Sequence, residues 1–152
     1  MYTFPHLQVT PTVQAAAYSI GNVIGGLLRF DNAVQGVGSG AIVQSATVTF
    51  LNGAVPTLDL ILFAANPTAS TITDRVVLAV NAADVAKVLG VLHLTDATLL
   101  GASSPSVVQC GTQVLPITTG SLVNMYAALV ARSAVTPAST SDVCISLNLL
   151  WD

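Results

Sequence analysis

Hydrophobic and polar positions alternate most cleanly in Val143–Trp151. Val143, Ile145, Leu147, Leu149 and Trp151 share one face, while Cys144, Ser146 and Asn148 share the other. Period two marks a half-buried strand. Residues 42–50 repeat the pattern, with Ile42, Ala46, Val48 and Phe50 on one side and Ser45, Thr47 and Thr49 on the other, interrupted once by Gln44. In residues 58–64 both faces are apolar after Asp59. Such a strand sits centrally in a sheet, or has its second face covered by a neighbouring subunit. Residues 23–30, 75–80 and 90–94 are also predicted strands, and Gly25 and Gly26 inside the first suggest a bulge or a close backbone approach.

Two stretches depart from this rhythm. Asn81 is able to cap, Asp84 stands in a first turn and Gly90 is a stop, so a short helix is expected over residues 81–89. In residues 122–131, Leu122, Met125, Tyr126, Leu129 and Val130 satisfy helical spacing, while Val123, Met125, Ala127, Leu129 and Ala131 satisfy strand spacing equally well. Periodicity alone does not decide between them. Turn-forming residues punctuate the chain about every ten positions, the rhythm of short antiparallel strands. The expected fold is all-β, an antiparallel β-sandwich or jelly-roll-like barrel with one short helix. No repeat or linker divides the 152 residues, so residues 18–152 are read as one β-sandwich domain. Residues 1–17 precede it as an arm or a first strand. Pro5 and Pro11 with Leu7, Val9 and Val13 would suit an arm that adds an edge strand to a neighbour.

Composition changes the picture. Charged residues make up only 7 % of the chain and hydrophobic ones 53 %, with a mean hydropathy of +0.75, against roughly 25 % charged in ordinary soluble domains. There are seven Asp and no Glu, and Lys87 is the only lysine beside Arg29, Arg75 and Arg132. Lys and Glu are the types most depleted where proteins meet, so much of the exterior is expected to touch other protein. No apolar run approaches the roughly 18 residues of a spanning helix, and residues 1–10 lack a basic start and an apolar signal core. Neither a membrane nor a cleaved signal is expected. A net charge of -3 with no basic cluster leaves no footprint for nucleic acid. Cys110 and Cys144 lack a CxxC spacing and read as separate buried thiols in a reducing cytosol, with a disulfide as the alternative.

Candidate chemistry is sparse. His6 and His93 have no second ligand type at a metal-binding spacing, and His93, near Asp96, reads as a hydrogen-bonded structural histidine. The run from Gly36 to Gly40 lacks the Lys-Ser/Thr of a phosphate loop and precedes a strand, so it reads as a flexible turn. Asp31, Asp74, Asp96, Asp142 and Asp152 stand in or beside turns or at the chain end, where Asp commonly caps backbone. Gly-x-Ser-x-Gly is absent. No catalytic, cofactor-binding or metal-binding residue is assigned, no cofactor is expected, and an enzyme is disfavoured. The loops at residues 35–40, 66–73, 101–106 and 133–141 are rich in small and hydroxylated residues, and such loops are where partner contacts concentrate.

The order of several motifs carries a resemblance. They are residues 18–26 (Tyr-Ser-Ile-Gly-Asn-Val-Ile-Gly-Gly), residues 38–45 (Gly-Ser-Gly-Ala-Ile-Val-Gln-Ser), and residues 58–63 followed by Asn66-Pro67. Thr73-Asp74, Val88 with Gly90-Val91, Leu122 with residues 126–132, and Ser141-Asp142-Val143 come later. From about Tyr18 to the C-terminus the chain resembles the small capsid decoration, or cement, proteins of tailed bacteriophages and prophages. Asn22 stands where Asp is expected, and Arg75 where Asn is expected.

The resemblance implies a strand at residues 122–131. It implies a structural virion protein, made in the host cytoplasm, that binds the assembled major capsid protein on the outer surface of the head. It also implies a homo-oligomer, with a homotrimer preferred and a dimer open. The rival reading is a receptor- or glycan-binding module of a fibre or head appendage. That reading expects aromatics in loops, yet Tyr2, Phe4, Tyr18, Phe30, Phe50, Phe63, Tyr126 and Trp151 fall mostly in the arm or in strands. A hydrolase would require two Asp carboxyls roughly 5 to 10 Å apart in a cleft.

Overall fold

The computed structural model describes residues 4–110, 115–118 and 123–151. Its strands are β1 (His6–Val9), β2 (Val23–Phe30), β3 (Gly40–Phe50), β4 (Leu58–Phe63), β5 (Val88–Leu99), β6 (Ser106–Cys110), β7 (Leu115–Thr118), β8 (Met125–Ala131) and β9 (Val143–Trp151). A 3₁₀ helix, Ala82–Lys87, precedes β5. The all-β expectation holds, with one short helical turn.

Every strand pairing is antiparallel, and the order around the sheet is β1-β9-β3-β6-β5-β4-β8-β2, with β7 also on β3. The order has a simple origin. β1, β2, β3 and β4 pair with β9, β8, β6 and β5, so the first half of the chain runs back against the second half as one long hairpin. Rolling that hairpin on itself adds the pairs β9-β3, β8-β4 and β6-β5 and brings β1 towards β2. This is jelly-roll topology in a nearly closed barrel.

The inward faces form one core around Phe30, Phe50, Leu60, Leu94, Leu129 and Leu147. β4, paired on both sides with β5 and β8, is also buried on both faces along its whole length. Leu58, Leu60 and Leu62 join the main core, while Ile61 and Phe63 join Ala128 and Val130 in a second cluster outside the barrel. Ile72, Leu78 and Val80 of the same chain cover that cluster.

Several expectations need correction. Residues 75–80 form no strand: Arg75 takes a positive φ of 62° and closes a turn, and only isolated bridges, Asn22 to Val77 and Thr71 to Ala79, remain. The alternation there reflects a lid laid over β4 and β8. In β3 a register shift between Val43 and Ser45 flips the faces, so Ala41 and Val43 are buried with Ala46, Val48 and Phe50, and Ile42 turns outward. Gln44 is the bulge, not a blemish in a regular strand. The strand expected at residues 90–94 runs from Val88 to Leu99, and β6 and β7 were not anticipated. The helix stops at Lys87, capped as expected by Asn81, whose Oδ1 accepts from Ala83 N at 2.9 Å. Residues 125–131 are a strand, and Leu122 lies outside the described residues, as do Tyr2 and Asp152.

The glycine pair in β2 does both things its position suggested. The register shifts between Ile24 and Leu27, and a Cβ on Gly25 would lie 2.4 Å from Pro11 Cβ. Gly25 (φ +79°) and Gly38 (φ +78°) share a conformation, but nothing lies within 4 Å of a Cβ at Gly38. Gly38→Ala should therefore cost about 1–2 kcal/mol from backbone strain alone. Gly25→Ala adds overlap worth about 1–3 kcal/mol more. Urea denaturation of the two variants measures the difference, and equal losses would contradict the close packing of Pro11 on β2.

Candidate functional site

With so few ions, each charged side chain among the described residues has an identifiable partner. Asp59, on the outward face of β4, sits at the centre of a triad. Arg132 Nε donates to its Oδ2 at 2.5 Å and His93 Nδ1 to its Oδ1 at 2.6 Å. The partner of His93 is thus Asp59 across the ladder, while Asp96 accepts from Gln109. Burial pushes the Asp59 carboxyl up, but the hydrogen bonds from His93 and Arg132 outweigh it and hold the group below the usual carboxylate range.

Asp74 and Asp84 tie down the lid. Asp74 Oδ1 accepts from the Tyr18 hydroxyl at 2.8 Å and from Gly25 N at 2.7 Å, and Gln14 Nε2 donates to Oδ2 at 3.0 Å. Tyr18 is fully buried, and burial is the main reason its phenol is raised to about 12. The Asp84 carboxylate accepts from Lys87 Nζ at 2.7 Å, Ser70 Oγ at 2.7 Å and Ala69 N at 2.9 Å. The Lys87 and Ser70 hydrogen bonds hold it below its ordinary value. Arg29 pairs with Asp31 at 2.6 Å on the surface, and Arg75 reaches Asp74 through the Gln14 amide. All four cations are therefore tied to an aspartate, directly or through one amide.

The remaining residues singled out from sequence are dispersed. His6 Nδ1 lies 2.7 Å from Asn148 Oδ1 on β9. Cys110 and Cys144 are free thiols, Cys110 buried and Cys144 half-buried. Ser39 N bonds Gly36 O at 3.0 Å in a turn ahead of β3. Asn22, where the resemblance leads one to expect Asp, accepts from Ser19 N at 2.8 Å and closes a turn. Among the described residues no three His, Cys, Asp or Glu side chains gather as a metal site, and no helix is long and apolar enough to cross a membrane.

The feature that sequence reading missed is one end of the barrel, where residues 51–57, 100–105 and 133–141 meet. Asn52 N donates to Asp142 Oδ1 and Asn52 Nδ2 to Thr136 O. Thr57 N donates to Ser133 Oγ, and Ser106 Oγ to Ala54 O. A Cβ on Gly53 would fall 1.9 Å from Ser103 O, so two of the loops touch backbone to backbone. None of these three segments contains an ionisable side chain. Leu51, Val55, Leu99 and Leu100 nevertheless project there, with exposures of 59 %, 54 %, 45 % and 61 %. The signal was present in sequence as three short uncharged turns, but their convergence depends on topology.

The titration shifts have opposite signs at the two pH extremes. Asp59 and Asp84 bind protons more weakly folded than unfolded, so they stabilise the fold at neutral pH, and that contribution drains away as pH falls below about 4. Asp59→Asn and Asp84→Asn should each be less stable at neutral pH and show a shallower acid decline in urea midpoints. An acid decline as steep in the double variant as in the parent would exclude these carboxylates as its source. Tyr18 resists ionisation when folded, so stability should also drop as pH rises above about 10. Tyr18→Phe should cost about 1–3 kcal/mol by stranding Asp74 and Gln14 N, and should lose that alkaline component.

No protein-family model matches the chain, and no curated protein matches it by sequence. Solved structures similar to it include the P-domain of Penaeus vannamei nodavirus, at 8 % identity over 99 % of this chain and 96 % of that one, with a TM-score of 0.38. Turnip yellow mosaic virus is similar at 12 % identity over 99 % and 93 %, with a TM-score of 0.31. The C-terminal domain of EclA, a sugar-binding protein, is similar at 10 % identity over 97 % and 76 %, also with a TM-score of 0.31. Overlap this loose leaves the function of the chain to be argued from its own residues.

Proposed function

We propose that this chain is a capsid decoration protein of a tailed bacteriophage. In this reading it is a non-catalytic virion component, made in the host cytoplasm, that binds the assembled major capsid protein on the outside of the head and stabilises the shell. The observation that carries the reading is a surface with no unpaired cation. Each lysine and arginine is tied to an aspartate, directly or through the Gln14 amide, so no cation is left over to attract an anionic ligand from a distance.

Large apolar side chains nonetheless project at both ends of the barrel. Leu51 follows β3, whereas Val37 lies in the turn before it, and the 11 residues of β3 itself span roughly 35 Å. Phe4 lies towards the Val37 end, since Pro5 O accepts from Leu149 N and Leu149 pairs with Val43. A body with apolar contacts at opposite poles suits a protein built into an array.

Binding only to the assembled lattice stabilises it by mass action, and many weak contacts add through multivalency. The jelly-roll scaffold hosts unrelated functions, so the surface carries the weight of this reading. The motif resemblance from Tyr18 onward supports it independently. A glycan-binding surface would need a cluster of exposed aromatics, but Tyr18, Phe30, Phe50 and Phe63 are buried, Tyr126 and Trp151 are half-buried, and among the described aromatics Phe4 alone is exposed.

Electron microscopy of heads from the phage or prophage carrying the gene tests the reading. A protrusion of this domain's size on the outer surface is expected, absent when the gene is deleted. Heads identical with and without the gene, together with no co-sedimentation of purified protein with empty shells, would refute it.

A further inference from the structure

We propose that Asn52-Gly53 is a site of spontaneous deamidation gated by the loops around it, and that the reaction, once it has occurred, keeps those loops from closing again. Of the seven asparagines, only Asn52 precedes a glycine. Deamidation begins when the backbone nitrogen of the following residue attacks the asparagine Cγ, and a glycine there presents no Cβ to obstruct the approach. The new N–Cγ bond closes a succinimide ring, and the side-chain nitrogen leaves as ammonia, taking the backbone amide proton. Water then opens the ring at either carbonyl, giving aspartate or isoaspartate. Water is the only co-reactant.

In the closed fold the groups that must react are all engaged. Asn52 Nδ2 donates to Thr136 O at 2.8 Å and Asn52 Oδ1 accepts from Ala54 N at 3.1 Å, so the side-chain amide is held at both atoms. The attacking nitrogen, Gly53 N, donates to Phe50 O at 3.3 Å. Asp142 fixes the preceding backbone, accepting from Asn52 N through Oδ1 and from Leu51 N through its carbonyl oxygen, both at 3.0 Å. Gly53 itself, at φ +77°, lies so close to Ser103 that a Cβ would fall 1.9 Å from Ser103 O. Closing the ring would turn the Asn52 side chain out of its two bonds and shift the Gly53 backbone where there is no room. The loops must therefore part first. Thr136, Asp142 and Ser103 hold residues 51–57 by single contacts and not by a ladder, and such segments open at a lower cost than core strands.

The product does not fit the closed arrangement. A carboxylate at position 52 has no proton to give Thr136 O, so oxygen faces oxygen. It also brings a second negative charge beside Asp142, which is buried and engaged by Asn52 N and Ala138 N. Residues 51–57, 100–105 and 133–141 hold no cation to offset it, and Arg132 is bound to Asp59. Like charges so placed oppose each other. The isoaspartyl form adds Cβ to the main chain, lengthening the turn by one atom where Gly53 is already against Ser103. A loop that has opened and reacted thus carries a permanent mark. The chemistry is the same whether or not the chain decorates a capsid.

Mass spectrometry of the peptide containing Asn52, taken from purified full chain kept at mildly alkaline pH, reads the conversion, and enzymatic methylation of isoaspartate identifies the product. The folded chain should react at least about tenfold more slowly than the chain in denaturing urea, because reaction waits on opening. Asp142→Ala releases Asn52 N and Ala138 N and should speed the reaction of the folded chain at least about threefold. Should that variant fail to fold, Ser106→Ala, which frees Ala54 O, is used instead and should also speed it. Asn52→Asp should have a lower urea midpoint than Asn52→Ser, which loses the same side-chain bonds without adding a charge.

Equal rates in the folded and unfolded chain, no reaction even in urea, no acceleration in the folded loosened variant, or an Asn52→Asp variant as stable as Asn52→Ser would each overturn the proposal.

Discussion

The edge of a β-sheet exposes a row of unpaired backbone donors and acceptors, and soluble proteins commonly protect it with lysines or inward-pointing charges. A chain with one lysine and 7 % charged residues has almost none of that protection. Closing the sheet is the remedy left to it. The continuous ladder from β1 through β9, β3, β6, β5, β4 and β8 to β2 leaves two edge strands, and the roll brings those two together. Closure needs curvature, and the register shifts supply it. They occur in β2 at Gly25-Gly26, in β3 at Gln44, and where β5 meets β4 and β6. The positive φ at both glycines of β2 is thus a requirement of the barrel, which explains why Pro11 can lie against the backbone there.

Closure also dictates where the few ions go. The outward faces of β4 and β8 are apolar and must be covered, and the lid at residues 71–80 does so with Ile72, Leu78 and Val80. A lid joined by isolated bridges and not by a continuous ladder needs other anchors as well. Asp74 holds it to Tyr18 and Gly25, and Asp84 braces the neighbouring turn through Ala69, Ser70 and Lys87. Asp142 plays the same part for the loops before β4 and β9. Several motifs behind the phage resemblance coincide with these anchors: Tyr18, Gly25, Asp74, Arg132 and Asp142 all lie in them. Those motifs therefore speak first to how the barrel is held and only through that to what it does.

The same geometry separates what was legible in the sequence from what was not. β9 and β2 were read with their bounds because one face of each is buried and the other is not, or because two glycines announced the bulge. β8 was ambiguous because both its faces are buried, so helical and strand periods fit alike. In β3 the parity inverts at Gln44, so simple alternation puts Ile42 on the wrong face. Residues 75–80 misled for a different reason. A covering segment alternates like a strand, and the positive φ of Arg75 has no signature in an arginine. Beyond Leu94 the polar run Thr95 to Thr98 hid the rest of β5, which is paired but largely exposed. The anchors were less legible than the strands. Asp59, Asp74 and Asp84 meet partners 14 to 73 positions away in sequence, apart from Lys87 and the bonds within one turn.

One consequence joins the ion-poor surface to the closed sheet. Seven aspartates against four cations leave a net charge of only -3 over 152 residues, so little repulsion keeps molecules apart. The roll leaves only β1, β2 and β7 with an unpaired side among the described strands, so association elsewhere on the barrel must use side chains. Of the exposed large apolar side chains, Leu51, Val55 and Leu100 stand on loops that meet at one end with Leu99 at the tip of β5, Val37 and Phe4 lie at the other, and Ile20, Val77 and Val85 are exposed as well. A protein of this kind is prevented from indiscriminate strand addition yet remains adhesive at chosen places. That combination favours a few defined apolar contacts, insensitive to salt, over the steered and charge-matched encounters of most soluble complexes.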